Sequence, residues 1–107
     1  MADYITDIIE RYEIDLQKVK QKYVWTLQYV KEQTPELCLV AVNQAGLVLK
    51  YVREQTPEIC LAAVQESGLA LYYVREQTPE ICLAAIKRTK MSLYYVKDLK
   101  LKEKLIL

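Results

Sequence analysis

From residue 33 onward, apolar and polar positions alternate in blocks. In the best-formed block an apolar run, Ile59-Cys60-Leu61-Ala62-Ala63-Val64, is followed by polar Gln65-Glu66-Ser67-Gly68. A second run, Leu69-Ala70-Leu71-Tyr72-Tyr73-Val74, then leads into polar Arg75-Glu76-Gln77-Thr78. The first run carries helix signals at both ends. Thr56 is placed to cap, Pro57 fits the first helical position where an amide proton lacks a partner anyway, Glu58 complements the dipole, and Gly68 predicts a left-handed C-cap. Apolar residues run nearly all round this helix of about ten residues, so it is expected to lie sandwiched between neighbours. The second run suits a short helix through positions 70, 73 and 74, and equally a strand of period two.

The block itself recurs. Gln-Thr-Pro-Glu-(Leu/Ile)-Cys-Leu begins at Gln33, Gln55 and Gln77; residues 33–54 and 55–76 share 15 of 22 positions, and 55–76 and 77–98 share 13. A worn copy, Trp25-Thr26-Leu27-Gln28-Tyr29-Val30-Lys31-Glu32, precedes them, and Leu99-Lys100-Leu101-Lys102 replaces the Gln-Thr-Pro-Glu string after Asp98. A unit this short cannot bury a core alone and has to stack on its neighbours. The expectation is an all-α fold, an α-hairpin solenoid of 22-residue tandem repeats forming one domain. Its parts are an N-terminal cap (1–22), a degenerate half repeat (23–32), three repeats (33–54, 55–76, 77–98) and a C-terminal cap (99–107). The alternative is an α/β leucine-rich-like solenoid using the second run as its strand; its leucine pattern and ladder asparagine are missing.

The unit Tyr-Val-(Arg/Lys)-Glu-Gln-Thr-Pro-Glu-(Leu/Ile)-Cys-Leu-Ala-Ala-Val, followed by Gly-Leu-Ala-Leu, resembles a helical repeat catalogued as a domain of unknown function in bacterial, phage and giant-virus proteins. The resemblance covers about residues 23–98. It implies a small α-hairpin array and brings no functional residues with it. The third copy departs from the pattern at Lys90 and Met91, which leaves its internal turn open.

Positions identical between copies are expected to be core, and positions that differ to be solvent or binding surface. By this test the core columns are Leu49/Leu71/Leu93, Tyr51/Tyr73/Tyr95, Val52/Val74/Val96, Leu39/Leu61/Leu83 and the cysteines, with Tyr29 and Val30 from the worn copy. The variable columns are Gln28/Lys50/Tyr72/Tyr94, Thr26/Val48/Ala70/Ser92 and the turns 43–45, 65–67 and 87–90. Candidate partner-binding residues follow: Lys50, Tyr72 and Tyr94 in one column, the tyrosines as a surface pair, and Lys87, Arg88 and Lys90 in the third turn. The plainer readings are packing between repeats for the tyrosines and a solvated cap for the basic set. Trp25 shares a column with Leu47, Leu69 and Met91 and is expected to fill core.

Composition narrows the function classes. With 52% hydrophobic residues and a net charge of +1, the chain is no disordered tail and has no global pull toward nucleic acid. Charge is nonetheless polarised: Asp3, Asp7, Glu10, Glu13 and Asp15 against Arg11 at one end, and seven Lys/Arg against two acids over residues 87–107. The first residues offer no basic leader and no run is long enough to span a membrane, so a cytoplasmic location is expected. Cys38, Cys60 and Cys82, one per repeat, should sit beyond the roughly 7 Å Cα limit for a disulfide and be buried reduced thiols. No histidine, phosphate-cradling loop or clustered metal ligands are present, so no catalytic, cofactor-binding or metal residues are assigned. The expected activity is protein binding. Family occurrence in phage adds the narrower expectation of an inhibitor occluding a bacterial defence effector such as a CRISPR nuclease (an anti-CRISPR). The alternatives are a self-associating structural repeat, for example a homodimer held through Leu105-Ile106-Leu107, and an RNA-binding helical repeat, which the mixed charge does not favour.

Overall fold

The computed structural model describes residues 24–106. Among these residues four α-helices alternate with four 3-10 helices: η1 (Val24–Tyr29), α1 (Pro35–Gln44), η2 (Gly46–Tyr51), α2 (Pro57–Glu66), η3 (Gly68–Tyr73), α3 (Pro79–Arg88), η4 (Lys90–Tyr95) and α4 (Leu99–Ile106). No strand occurs among the described residues, so the second run of each block is a 3-10 helix and the leucine-rich-like alternative fails. The N-terminal cap expected over 1–22, with its acidic cluster, lies outside the described residues.

The elements form two layers. Helices α1, α2 and α3 pack side by side in chain order, η1 to η4 do the same, and each of these three α-helices rests on two consecutive 3-10 helices. The result is elongated, 52 × 22 × 16 Å.

The α-helices begin as their sequences dictate. The hydroxyls of Thr34, Thr56 and Thr78 accept hydrogen bonds from the amides of Leu37, Ile59 and Ile81 at 3.1, 3.2 and 3.2 Å. Each proline follows at the first helical position. Their ends differ from expectation. The closing residues are Ala45, Ser67 and Thr89, all extended (φ −147, −141 and −148°), whose amides bond the carbonyls of Ala41, Ala63 and Ala85. Gly68 is not a left-handed cap; it opens η3.

The glycine is there for lack of room. A Cβ on Gly68 would strike the backbone carbonyl of Ala85 in the next α-helix and stand 2.7 Å from Thr89 Cβ. A Cβ on Gly46 would strike the carbonyl of Ala63. Lys90 holds the same place in the third unit, where α4 packs only weakly, and its side chain is exposed. The turn there is nonetheless the same: Thr89 is extended and η4 follows.

The second runs become 3-10 helices because their apolar spacing is three. With three residues per turn, Gly68, Leu71 and Val74 stack on one side and are all buried, and Ala70 and Tyr73 stack on a second. Leu49, Leu71, Val42, Val64, Val52 and Val74 form the centre of the core, between the two layers. At the C-terminal end Asp98 caps α4, its carboxylate accepting from the amides of Lys100 and Leu101 at 3.0 and 3.2 Å. Leu101 and Leu105 turn back onto the core while Leu99 and Ile106 stay exposed, so the apolar tail is split; Leu107 lies outside the described residues.

Sorting columns by identity succeeded in part. Leu49/Leu71 and Val52/Val74/Val96 are buried as expected, but the variable column Val48/Ala70/Ser92 is also buried, at 0% exposure in all three. Identical columns come to the surface as well: Leu83 is exposed, and the tyrosine column runs from half-buried Tyr51 and Tyr73 to exposed Tyr95 and Tyr29. The physical reason is that a column's burial is set by which side of its helix it lies on, while its identity depends on whether its neighbours change with it.

Candidate interaction surface

Most polar side chains near the layer boundary are occupied in holding units together. Gln33 Nε2 donates to the carbonyls of Leu27 at 3.0 Å and Tyr51 at 2.8 Å, and its Oε1 accepts from the Arg53 amide at 3.0 Å and the Cys38 thiol at 3.9 Å. Gln55 repeats the arrangement with Tyr73, Arg75 and Cys60, and Gln77 with Tyr95, Lys97 and Cys82. The basic residues add a second set of ties. Arg53 Nη2 donates to the carbonyls of Val30 and Lys31, Arg75 Nη2 to those of Val52 and Arg53, and Lys97 Nζ to that of Val74 at 3.4 Å. A side-chain ladder between successive coils therefore exists, made by glutamine where a leucine-rich repeat would use asparagine. The signal in the sequence was a glutamine recurring at a position with no local capping role.

Cys38, Cys60 and Cys82 are free and buried, as expected. Desolvation pushes each thiol above its ordinary pKa; the nearby Arg53 and Arg75 charges oppose this at Cys38 and Cys60. A buried thiol held in its protonated form is a poor nucleophile. Among the described residues no group of three or more His, Cys, Asp or Glu is placed to hold a metal ion, and no helix is long and apolar enough to cross a membrane.

The outer side of the 3-10 layer is built differently. Residues three apart eclipse on such a helix, so each 3-10 helix shows one outward pair: Leu47 and Lys50 on η2, Leu69 and Tyr72 on η3, Met91 and Tyr94 on η4; Arg53, Arg75 and Lys97 follow two residues past each helix, beyond an extended valine. All nine are exposed, and because η2, η3 and η4 pack side by side the rows form one continuous grid. Down the stack the grid reads as three rails: apolar (Leu47, Leu69, Met91), central (Lys50, Tyr72, Tyr94) and cationic (Arg53, Arg75, Lys97). Tyr72 is 62% and Tyr94 75% exposed. Tyr72 stands edge-on to Tyr73 at 5.0 Å and to Tyr95 at 5.2 Å between ring centroids, so its contacts are with the neighbouring column and it does not pair with Tyr94. Lys50 Nζ lies 5.5 Å from the centre of the Tyr51 ring.

The expected site residues thus divide. Lys50, Tyr72 and Tyr94 come together as the central rail. Lys87 and Arg88 stand at the C-terminal end of α3, where they line a shallow groove of the α layer with Leu61 and Leu83, and Arg88 Nε donates to the Glu66 carbonyl at 3.3 Å. Lys90 opens η4 in the inward-facing glycine position of the earlier units. The apolar rail departs from expectation: Leu47, Leu69 and Met91 share the column expected to be core with Trp25, yet Met91 is 63% exposed and Leu47 and Leu69 over a third. The side chain of Trp25 itself lies outside the described residues. Comparison of the chain with protein-family models, curated proteins and solved structures gave no match.

Proposed function

We propose that this chain is a non-catalytic protein-binding module, a solenoid of 22-residue units that works in a reducing, cytoplasmic compartment and presents its 3-10 layer to a protein partner. The observation that carries this reading is the grid itself. The polar groups of Gln33, Gln55 and Gln77 are spent within the stack, whereas Tyr72, Tyr94 and Met91 project from a surface fixed by the packed coils beneath. Rigid tyrosines beside arginines are the composition that dominates protein interfaces, because such side chains bury large area at small entropic cost. The three free, buried cysteines support a reducing compartment.

The test is affinity capture from host lysate with three forms of the protein: wild type, Tyr72→Ser/Tyr94→Ser, and Glu58→Lys on the opposite layer. A single partner identified by mass spectrometry with wild type and Glu58→Lys, and missing with the tyrosine variant, is the expected result. Equal recovery with all three would reject the 3-10 face, and recovery only of the chain's own copies would favour self-association. The narrower reading, an inhibitor of a bacterial defence nuclease, rests on the family resemblance, and the same capture decides it by the identity of the partner.

A further inference from the structure

Accepting the 3-10 face as the binding surface, we infer that its occupant is an acidic amphipathic α-helix of the partner protein, lying along the stack axis across η2, η3 and η4. Three properties of the grid carry this.

The first is width. A 3-10 helix rises about 2.0 Å per residue, so Leu69 to Tyr73 spans about 8 Å, and two extended steps at about 3.3 Å carry the chain on to Arg75, which makes the grid about 14–15 Å across, enough to seat one α-helix of 10–12 Å diameter with its side chains. Neighbouring helices pack about 8–10 Å apart, so the grid runs about 16–20 Å from η2 to η4, matched by roughly 11–13 residues of helix at 1.5 Å each.

The second is polarity across that width. One edge is apolar at Leu47, Leu69 and Met91; the other carries the charge of Arg53, Arg75 and Lys97, which are exposed although Nη2 or Nζ of each also bonds a carbonyl of the preceding coil, and no acid stands in any of the three rows. A helix with one apolar and one carboxylate-bearing stripe matches this in a single orientation. Tyr72 and Tyr94 lie between the stripes, where a ring meets apolar side chains and the hydroxyl meets a carboxylate.

The third is what borders the cationic rail. Exposed Glu54 follows Arg53 and exposed Glu76 follows Arg75, and Asp98 follows Lys97. A polyanion such as single-stranded RNA carries charge at every step and would meet these acids continuously. Carboxylates about seven residues apart, roughly 10 Å along one face of a helix, can be set over Arg53, Arg75 and Lys97 and away from Glu54 and Glu76. The shallow grooves of the α layer, rimmed by Glu36, Glu58 and Glu80, carry the opposite sign and would repel such a helix.

The experiment is fluorescence anisotropy on the full chain with three labelled probes: a model helix of about 18 residues with leucines on one face and glutamates on the adjoining one, its twin with lysine for every glutamate, and an oligouridylate. The acidic helix is expected to bind at least about tenfold more tightly than its lysine twin. Lys50→Glu and Tyr94→Ser, both at exposed positions, should each weaken it about fivefold or more while circular dichroism stays unchanged, and Lys87→Glu should leave it unaltered. Equal or tighter binding of the lysine twin, indifference to Lys50→Glu and Tyr94→Ser, or no binding of either helix would overturn the inference. In each of those cases a partner protein captured through Tyr72 and Tyr94 leaves the protein-binding reading standing. Oligouridylate binding that is lost in Tyr94→Ser would overturn both.

Discussion

The two layers of this molecule reverse the usual relation between repetition and exposure. Along the exposed edge of the α layer every unit shows the same Thr-Pro-Glu, while the 3-10 layer varies both outside, at Lys50/Tyr72/Tyr94, and in its most enclosed column, at Val48/Ala70/Ser92. The α edge is constant because capping, a fixed φ and the helix dipole impose the same local chemistry each time, whatever the neighbours are. Inside the 3-10 layer a side chain needs only to fit the space left by adjacent units, and valine, alanine and serine each fit theirs. Sameness in this chain reports local backbone demands, and burial has to be read from helical phase.

That contrast can be broken where a unit's backbone meets its neighbour. Gly68→Ala places a methyl group against the Ala85 carbonyl and is expected to cost about 3 kcal/mol, visible as a lowered urea midpoint, even though alanine is the better helix former. Lys90→Ala, at the equivalent position without a tightly packed neighbour, should change stability by less than about 0.5 kcal/mol. Equal effects would mean that the glycine serves local conformation.

A second probe sharpens the role of the ladder. Gln55→Ala strips partners from the Tyr73 carbonyl, the Arg75 amide and the Cys60 thiol, and should destabilise by about 2 kcal/mol, with faster amide exchange at Arg75. Exchange at Ile59, held by Thr56, should change less.

The smallest effect has the opposite sign. Ser92 Oγ is buried with no hydrogen-bond partner in the third unit, where the second has Ala70. Ser92→Ala should therefore raise stability by about 1 kcal/mol, measured by the same urea titration. A loss would show that the hydroxyl holds something the packing alone does not.

How much of this was legible beforehand follows from the range of each cause. The α-helix starts were readable because Thr56, Pro57 and Glu58 act within one turn. The column of Lys50, Tyr72 and Tyr94 stands out because it changes from lysine to tyrosine between constant flanks, but the same test also picks out the buried Val48/Ala70/Ser92. Gly68 was misread since the atom that excludes a side chain there, the Ala85 carbonyl, belongs to another unit. Leu47, Leu69 and Met91 escape the sequence for a related reason: apolar character alone does not give burial, and only the period of three fixes which way each residue faces. That period was present at Gly68, Leu71 and Val74, and a strand or an α-helix would have wasted it.

The ties made by Gln33, Gln55 and Gln77 reach 18 residues forward to a carbonyl and 20 to an amide, always landing on the corresponding atoms one coil later. A duplicated segment cut at any of these glutamines would bring its own donor, its own acceptor and its own row on the outer grid. Such a gene can lengthen or shorten by whole units without inventing a new joint, and each step adds or removes one outward row. The length of the outer face is thus a quantity that replication slippage can adjust, independently of the side chains that give the surface its chemistry.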